Sequence, residues 1–157
     1  MISEEKREYV KYRIEKACQT YDAAKVLADN GFWNSSVNRL YYSLFFAVNA
    51  LLVLNDIEGK THATAKRQFS LQFVKTGKFD KKFGRLLNEL YDWRQKADYE
   101  VIFDYDRDSV FPLFEPVKEM LDLIDKEIKI TPEHAVIHHA GGLPAFLVVG
   151  FSKIWNG

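Results

Sequence analysis

Apolar residues recur at three- and four-residue spacing over most of this chain, and the stripes they make predict five helices. Val10, Ile14, Ala17, Tyr21, Ala24 and Ala28 fall on one face between Ser3 and Asp29. Ser3 is placed to cap that helix, with Glu4 and Glu5 favourable in its first turn, and Asp29-Asn30-Gly31 is placed to stop it. A second helix is predicted from Trp33 to Asn55. Val37, Leu40, Tyr41, Leu44, Phe45, Val48, Leu51 and Leu52 make one face, and Tyr42, Phe46 and Ala50 carry apolar area round the cylinder. A helix apolar on more than one side belongs at the centre of a bundle or in an interface between copies. The short turn between these two helices predicts an antiparallel hairpin.

Asn55 to Thr64 reads as a loop, followed by a shorter helix over Ala63 to Val74 anchored by Phe69, Phe73 and Val74. Lys75-Thr76-Gly77-Lys78 is a turn. The fourth helix, Asp80 to Tyr99, carries Phe83, Leu86, Leu87, Leu90 and Ala97 as its stripe. The fifth begins at Asp108 or Ser109 and runs through Val117, Met120, Leu121, Ile124 and Ile128. Pro112 and Pro116 are expected in its opening turns, where a missing N–H breaks no bond. At Thr131-Pro132 the helical period stops. The expected architecture is therefore all-α: an up-and-down bundle of four to five helices over 3–130. A C-terminal extension over 131–157, non-helical or with a short strand, would pack on the bundle or on a neighbouring subunit.

A length of 157 residues with 47% hydrophobic and 28% charged side chains fits one globular domain. Aromatics reach 15%, which points to a thick aromatic core or a face used for self-association. The formal net charge of zero argues against a histone-like, non-specific nucleic-acid binder. The charges are not evenly spread, however. Lys60 to Lys96 holds ten Lys/Arg against three Asp/Glu, and Asp98 to Glu127 reverses that ratio. Such stretches pair with each other, with a symmetry mate, or with an anionic ligand. The single cysteine, Cys18, cannot form an internal disulfide and fits a reduced, cytoplasmic setting. The charged start is no signal peptide, and no apolar run is expected to span a membrane.

Walker A, Gly-x-Gly-x-x-Gly, Gly-x-Ser-x-Gly and Cys-x-x-Cys patterns are absent. His134, His138 and His139 have helical zinc spacing but stand before Gly141, Gly142 and Pro144, so neither a metal site nor a cofactor is expected. His62, in the predicted loop Lys60-Thr61-His62, is either a general base or an ordinary hydrogen-bonding residue. Arg94 is the anomaly. It lies four residues after Leu90 and seven after Leu87, on or beside the apolar stripe of the fourth helix. A guanidinium there needs a partner. Asp98, four residues on, supplies one within the helix; a phosphodiester in a cleft, oriented with Asp98 and Tyr99, supplies another.

Several segments in order resemble the HEPN domain family. They are Ala23-Ala24-Lys25-Val26-Leu27, Arg39-Leu40-Tyr41-Tyr42-Ser43-Leu44-Phe45-Phe46-Ala47, Lys60-Thr61-His62, Phe73-Val74-Lys75-Thr76-Gly77, and Leu90-Tyr91-Asp92-Trp93-Arg94-Gln95-Lys96-Ala97-Asp98-Tyr99. The resemblance covers roughly residues 3 to 128 and is nearest to a small bacterial and archaeal branch. It implies a helical bundle that pairs as a symmetric homodimer. Many members cut RNA without a metal, through an Arg followed four to six residues later by a His in a composite site. Others accompany a minimal nucleotidyltransferase in a toxin–antitoxin pair. Arg94 matches the Arg, but Asp98 or Tyr99 stands where the His belongs, and no His lies between Arg94 and Glu133. Neither replacement mimics imidazole near neutral pH.

The resulting expectation is a homodimeric binding module, companion of a nucleotidyltransferase or binder of a nucleotide or RNA through Arg94, Lys96 and Lys60. The alternative is a metal-independent endoribonuclease using Arg94 with Asp98, Tyr99 or His62. No association with a membrane is expected.

Overall fold

A computed structural model describes residues 3–130. The predicted C-terminal extension, with its three histidines, lies outside the described residues. Five α-helices follow one another: α1 (Glu4–Asp29), α2 (Trp33–Leu54), α3 (His62–Phe69), α4 (Lys81–Tyr99) and α5 (Arg107–Ile130). There is no strand among the described residues.

Ser3 caps α1 as expected, its hydroxyl accepting from the Lys6 N–H at 3.1 Å. The helix ends at Asn30, and Gly31 takes a left-handed φ of 78° to turn the chain into α2. Cross-links at both ends hold α1 and α2 antiparallel. Ser36 Oγ donates to the Ala24 carbonyl, Tyr9 to Asn49, and Lys6 to Asp56. The other helices build the bundle around α2, which packs against all four of them. Its predicted face is buried, with Val37, Leu40, Leu44, Val48, Leu51 and Leu52 fully so; of its extra apolar positions Ala50 is fully buried, and Tyr42 and Phe46 are half-buried. Each such aliphatic side chain larger than alanine contributes about 1.5–3 kcal/mol by leaving water. By length and hydropathy α2 does pass the test for a membrane-crossing helix, contrary to the sequence expectation, but most of it lies inside the bundle.

Three boundaries differ from the predicted ones. His62 is not in a loop: it is the first residue of α3, capped by Thr61, whose hydroxyl accepts from the Thr64 N–H. The helix predicted through Val74 is α-helical only to Phe69. Ser70–Val74 forms a wider π turn, closed by the Lys75 N–H on the Ser70 carbonyl at 2.8 Å. The loosening accompanies a sharp reversal, in which the Phe79 N–H reaches the Phe73 carbonyl and Phe69, Phe73, Phe79 and Phe83 pack as one aromatic cluster. Finally, α5 starts at Arg107, with Asp106 accepting from the Ser109 N–H, so Pro116 sits well past the opening turn. The two prolines free the carbonyls of Asp108 and Pro112, both exposed residues, and water can satisfy them.

The basic and acidic stretches partly explain each other. Lys78 pairs with Glu127 and Lys82 with Glu119, holding the start of α4 and its preceding turn against α5. The α4–α5 linker is pinned by Asn34, which donates to the Phe103 carbonyl and accepts from the Tyr105 N–H, while Tyr105 stacks on Trp93 at 4.7 Å.

Candidate functional site around Arg94

Arg94 lies on the buried side of α4, because it continues the stripe of Leu87 and Leu90, and only 6% of it is exposed. The residues opposite it come from α2. Tyr41 and Tyr42 are successive, and the helix is apolar on more than one side, so both rings face inward towards α4. Tyr91, one turn before Arg94, completes the enclosure. The guanidinium carbon is 5.2 Å from the Tyr41 ring centroid, 5.4 Å from Tyr42 and 5.2 Å from Tyr91. Desolvated cation–ring contacts of this kind are worth up to about 2 kcal/mol.

The polar partners of Arg94 are poor. Its Nη1 lies 3.6 Å from Asp98 Oδ2 and 3.5 Å from the Tyr42 hydroxyl, too far for good hydrogen bonds. Its Nε–H is buried with no partner among the described residues. Asp98 is the intrahelical partner the spacing suggested, yet its carboxylate is nearer to another donor, Asn38 Nδ2 at 3.1 Å. An unmade hydrogen bond of this kind costs about 1–3 kcal/mol, more when the group is charged. The aromatic cage holds the guanidinium in place but does not satisfy it.

His62 joins the same cage. Its ring centroid is 4.6 Å from Phe45, 5.5 Å from Tyr41, 5.8 Å from Tyr42 and 5.7 Å from Tyr91. Nδ1 lies 2.7 Å from the Tyr41 hydroxyl. Burial drives the Tyr41 phenol well above its ordinary value, so it keeps its proton, and Nδ1 is its one hydrogen-bond partner among the described residues. Tyr41 therefore donates, Nδ1 accepts, and neutral His62 carries its proton on Nε2. Burial first, then the charges of Arg94 and Lys66, lower the His62 pKa and keep the ring neutral. In that state both ring nitrogens are committed. His62 can offer an N–H to an anion, but it has no free lone pair with which to take a proton.

The other residues singled out by sequence are placed differently. Lys60 is exposed, two residues before His62 on the segment that enters α3. Lys96 is not gathered round Arg94; its ammonium sits 4.2 Å from the Phe103 ring centroid. Tyr99 is 71% exposed on the last turn of α4. Sequence reasoning missed Lys66, whose ammonium is 3.8 Å from the Tyr91 centroid, and Asn38. The spacing of Asn38 and Tyr42, one turn apart on α2, was the signal available for the latter.

Residues 10–128 match the HEPN domain. The chain belongs to the HEPN domain family. Among its relatives is a UPF0332 protein of Thermotoga maritima, 33% identical over 125 residues that make up 80% of this chain and 95% of that protein. Two proteins of Methanocaldococcus jannaschii are named as candidate toxins. One is 36% identical over 104 residues (66% of this chain, 70% of that protein), the other 30% over 129 residues (82% and 96%). The matched HEPN region takes in α2, α3 and α4, and with them the whole Arg94 cage.

Proposed function

We propose that this chain is the HEPN half of a toxin–antitoxin-type pair: a homodimeric, cytoplasmic module that binds phosphate groups of RNA or a nucleotide at Arg94 without cutting them. The observation that carries this reading is the state of Arg94. It is buried among tyrosines, its Nε–H is unmade, and its nearest carboxylate is held more closely by Asn38 than by itself. A phosphate supplies the charge-assisted acceptors such a group lacks. The donor state of His62 supports binding over cleavage, since ribose 2′-hydroxyl activation needs a base. The names of the M. jannaschii relatives support a role in a toxin–antitoxin-type pair; the family resemblance, not those names, suggests a minimal nucleotidyltransferase as the other member. Contact with another protein is also supported by Tyr99, exposed at the end of α4, and by Val101 and Ile102 just after it, which stand almost wholly exposed.

A second reading, a metal-independent endoribonuclease, is favoured by one specific observation: His62 shares the cage of Arg94 although it lies far from it in sequence. Incubating the protein with structured RNA in EDTA separates the two. Bound but intact RNA, with binding lost in Arg94→Ala, is the expected result. Cleavage that disappears in Arg94→Ala overturns the non-catalytic reading. Sedimentation at micromolar concentration tests the homodimer, and a monomeric mass refutes it.

A further inference from the structure

We propose that Arg39 is a second anion contact, and that the ligand of this site is a single-stranded polynucleotide with adjacent phosphates rather than a lone nucleotide; this rests on the phosphate-binding reading of Arg94. Arg39 Cζ lies 5.2 Å from the centroid of Tyr42, the same ring that Arg94 approaches to 5.4 Å. Two guanidinium groups thus share one ring. Arg39 is held by Asn38, whose Oδ1 accepts from Nε at 3.0 Å and from Nη2 at 2.7 Å. The same Asn38 donates through Nδ2 to Asp98, the carboxylate beside Arg94. One amide therefore positions both ends of the cluster, and it does so without neutralising Arg39.

The charges do not balance. Arg39, Lys66 and Arg94 are gathered on Tyr42 and Tyr91, with Asp98 as the carboxylate among them. Crowded like charges at a partly dry surface cost free energy until anions arrive, and a chain of adjacent phosphates can meet Arg39 and Arg94 together. Beside the cluster an open cavity of about 570 Å³ lies between α1, α2 and α4, with Asn38, Arg39 and Asp98 in its wall and Leu27 and Ala97 as its apolar lining. The pattern repeats one turn along α2. Phe46 is 5.8 Å from Tyr42, and Arg13 of α1 stands 5.3 Å from Phe46 and 5.1 Å from Tyr9. Rings and guanidinium groups thus alternate along the helix, as in surfaces that stack bases and track a phosphate backbone.

The test is fluorescence anisotropy on the full chain with a short single-stranded RNA oligonucleotide, beside calorimetry with AMP, over a range of salt. The oligonucleotide should bind at least about tenfold more tightly than AMP, the worth of one added charged contact. Arg39→Ala should weaken the oligonucleotide by about tenfold and lower the slope of log affinity against log salt by about 0.7, leaving AMP unaffected. Arg39→Lys should keep the slope, and Asn38→Ala should weaken both ligands. Equal affinity for AMP and oligonucleotide, or an unchanged slope in Arg39→Ala with the same melting temperature as the parent, overturns the proposal. If Arg94→Ala abolishes oligonucleotide binding and Arg39→Ala does not alter it, the Arg39 assignment alone falls. If the parent protein binds neither probe, the Arg94 reading falls with it.

Discussion

The Tyr41 hydroxyl and Nδ1 of His62 lie 2.7 Å apart, joining the middle of α2 to the first residue of α3. That bond fixes the histidine tautomer and thereby the chemistry open to the site. In ¹⁵N spectra His62 should show the Nε2–H neutral form near pH 7, and Tyr41→Phe should release Nδ1 and let the other tautomer appear. An Nδ1–H form in the parent protein contradicts the donor assignment.

The same residue makes stability depend on pH. Folding lowers the His62 pKa from its ordinary 6.5, so the unfolded chain binds more protons in the acid range. Its contribution is therefore fully present above about pH 6.5 and lost as pH falls through the folded value. Urea denaturation from pH 7.5 downward should show this loss, and the slope should be shallower in His62→Gln. Identical slopes would mean that the ring is not desolvated.

Arg94 should cost the fold more than it contributes. Replacing a poorly satisfied buried charge by an apolar side chain of similar length is often neutral or stabilising. Arg94→Met should leave the unfolding free energy unchanged or raise it by about 1–2 kcal/mol while removing ligand binding. A loss of several kcal/mol in the denaturant midpoint would identify Arg94 as a structural residue instead.

Gly59 lies between α2 and the segment that delivers His62. A Cβ there would clash with Leu52 Cδ1, and Leu52 is fully buried. The Gly59 carbonyl also accepts from Asn49 Nδ2 at 2.9 Å. Gly59→Ala should cost about 1–3 kcal/mol in chemical denaturation, the range for overpacking a core. It should also disturb the His62 resonances, because the segment cannot settle at its native depth.

Most of the bundle could be read from the chain because helical burial is periodic. Every residue of the Val10–Ala28 stripe is buried, as is the predicted face of α2, and the two-sided apolarity of α2 offered either the bundle centre, which it occupies, or an interface between copies. Arg94 was legible for the same reason, as a charge in an apolar register. What could not be read was anything made by contact between distant segments. No spacing rule ties His62 to Arg94, since α3 reaches the cage only by packing across α2 and α4. Lys96 is two residues from Arg94, which on a helix turns it to the other side, where Phe103 meets it. Local charge counts missed this because they ignore direction. The π turn at Ser70–Val74 accompanies the Phe73–Phe79 reversal, and Pro116 falls late because Asp106, not Asp108 or Ser109, caps α5.

The central claim, that Arg94 is a phosphate-binding group, is tested most directly at its own guanidinium. The Arg94 Nε–H resonance, assigned by its loss in Arg94→Lys, should shift saturably when single-stranded RNA is added, with the midpoint found by anisotropy. An Arg94 signal that stays fixed while RNA binding saturates would contradict the account.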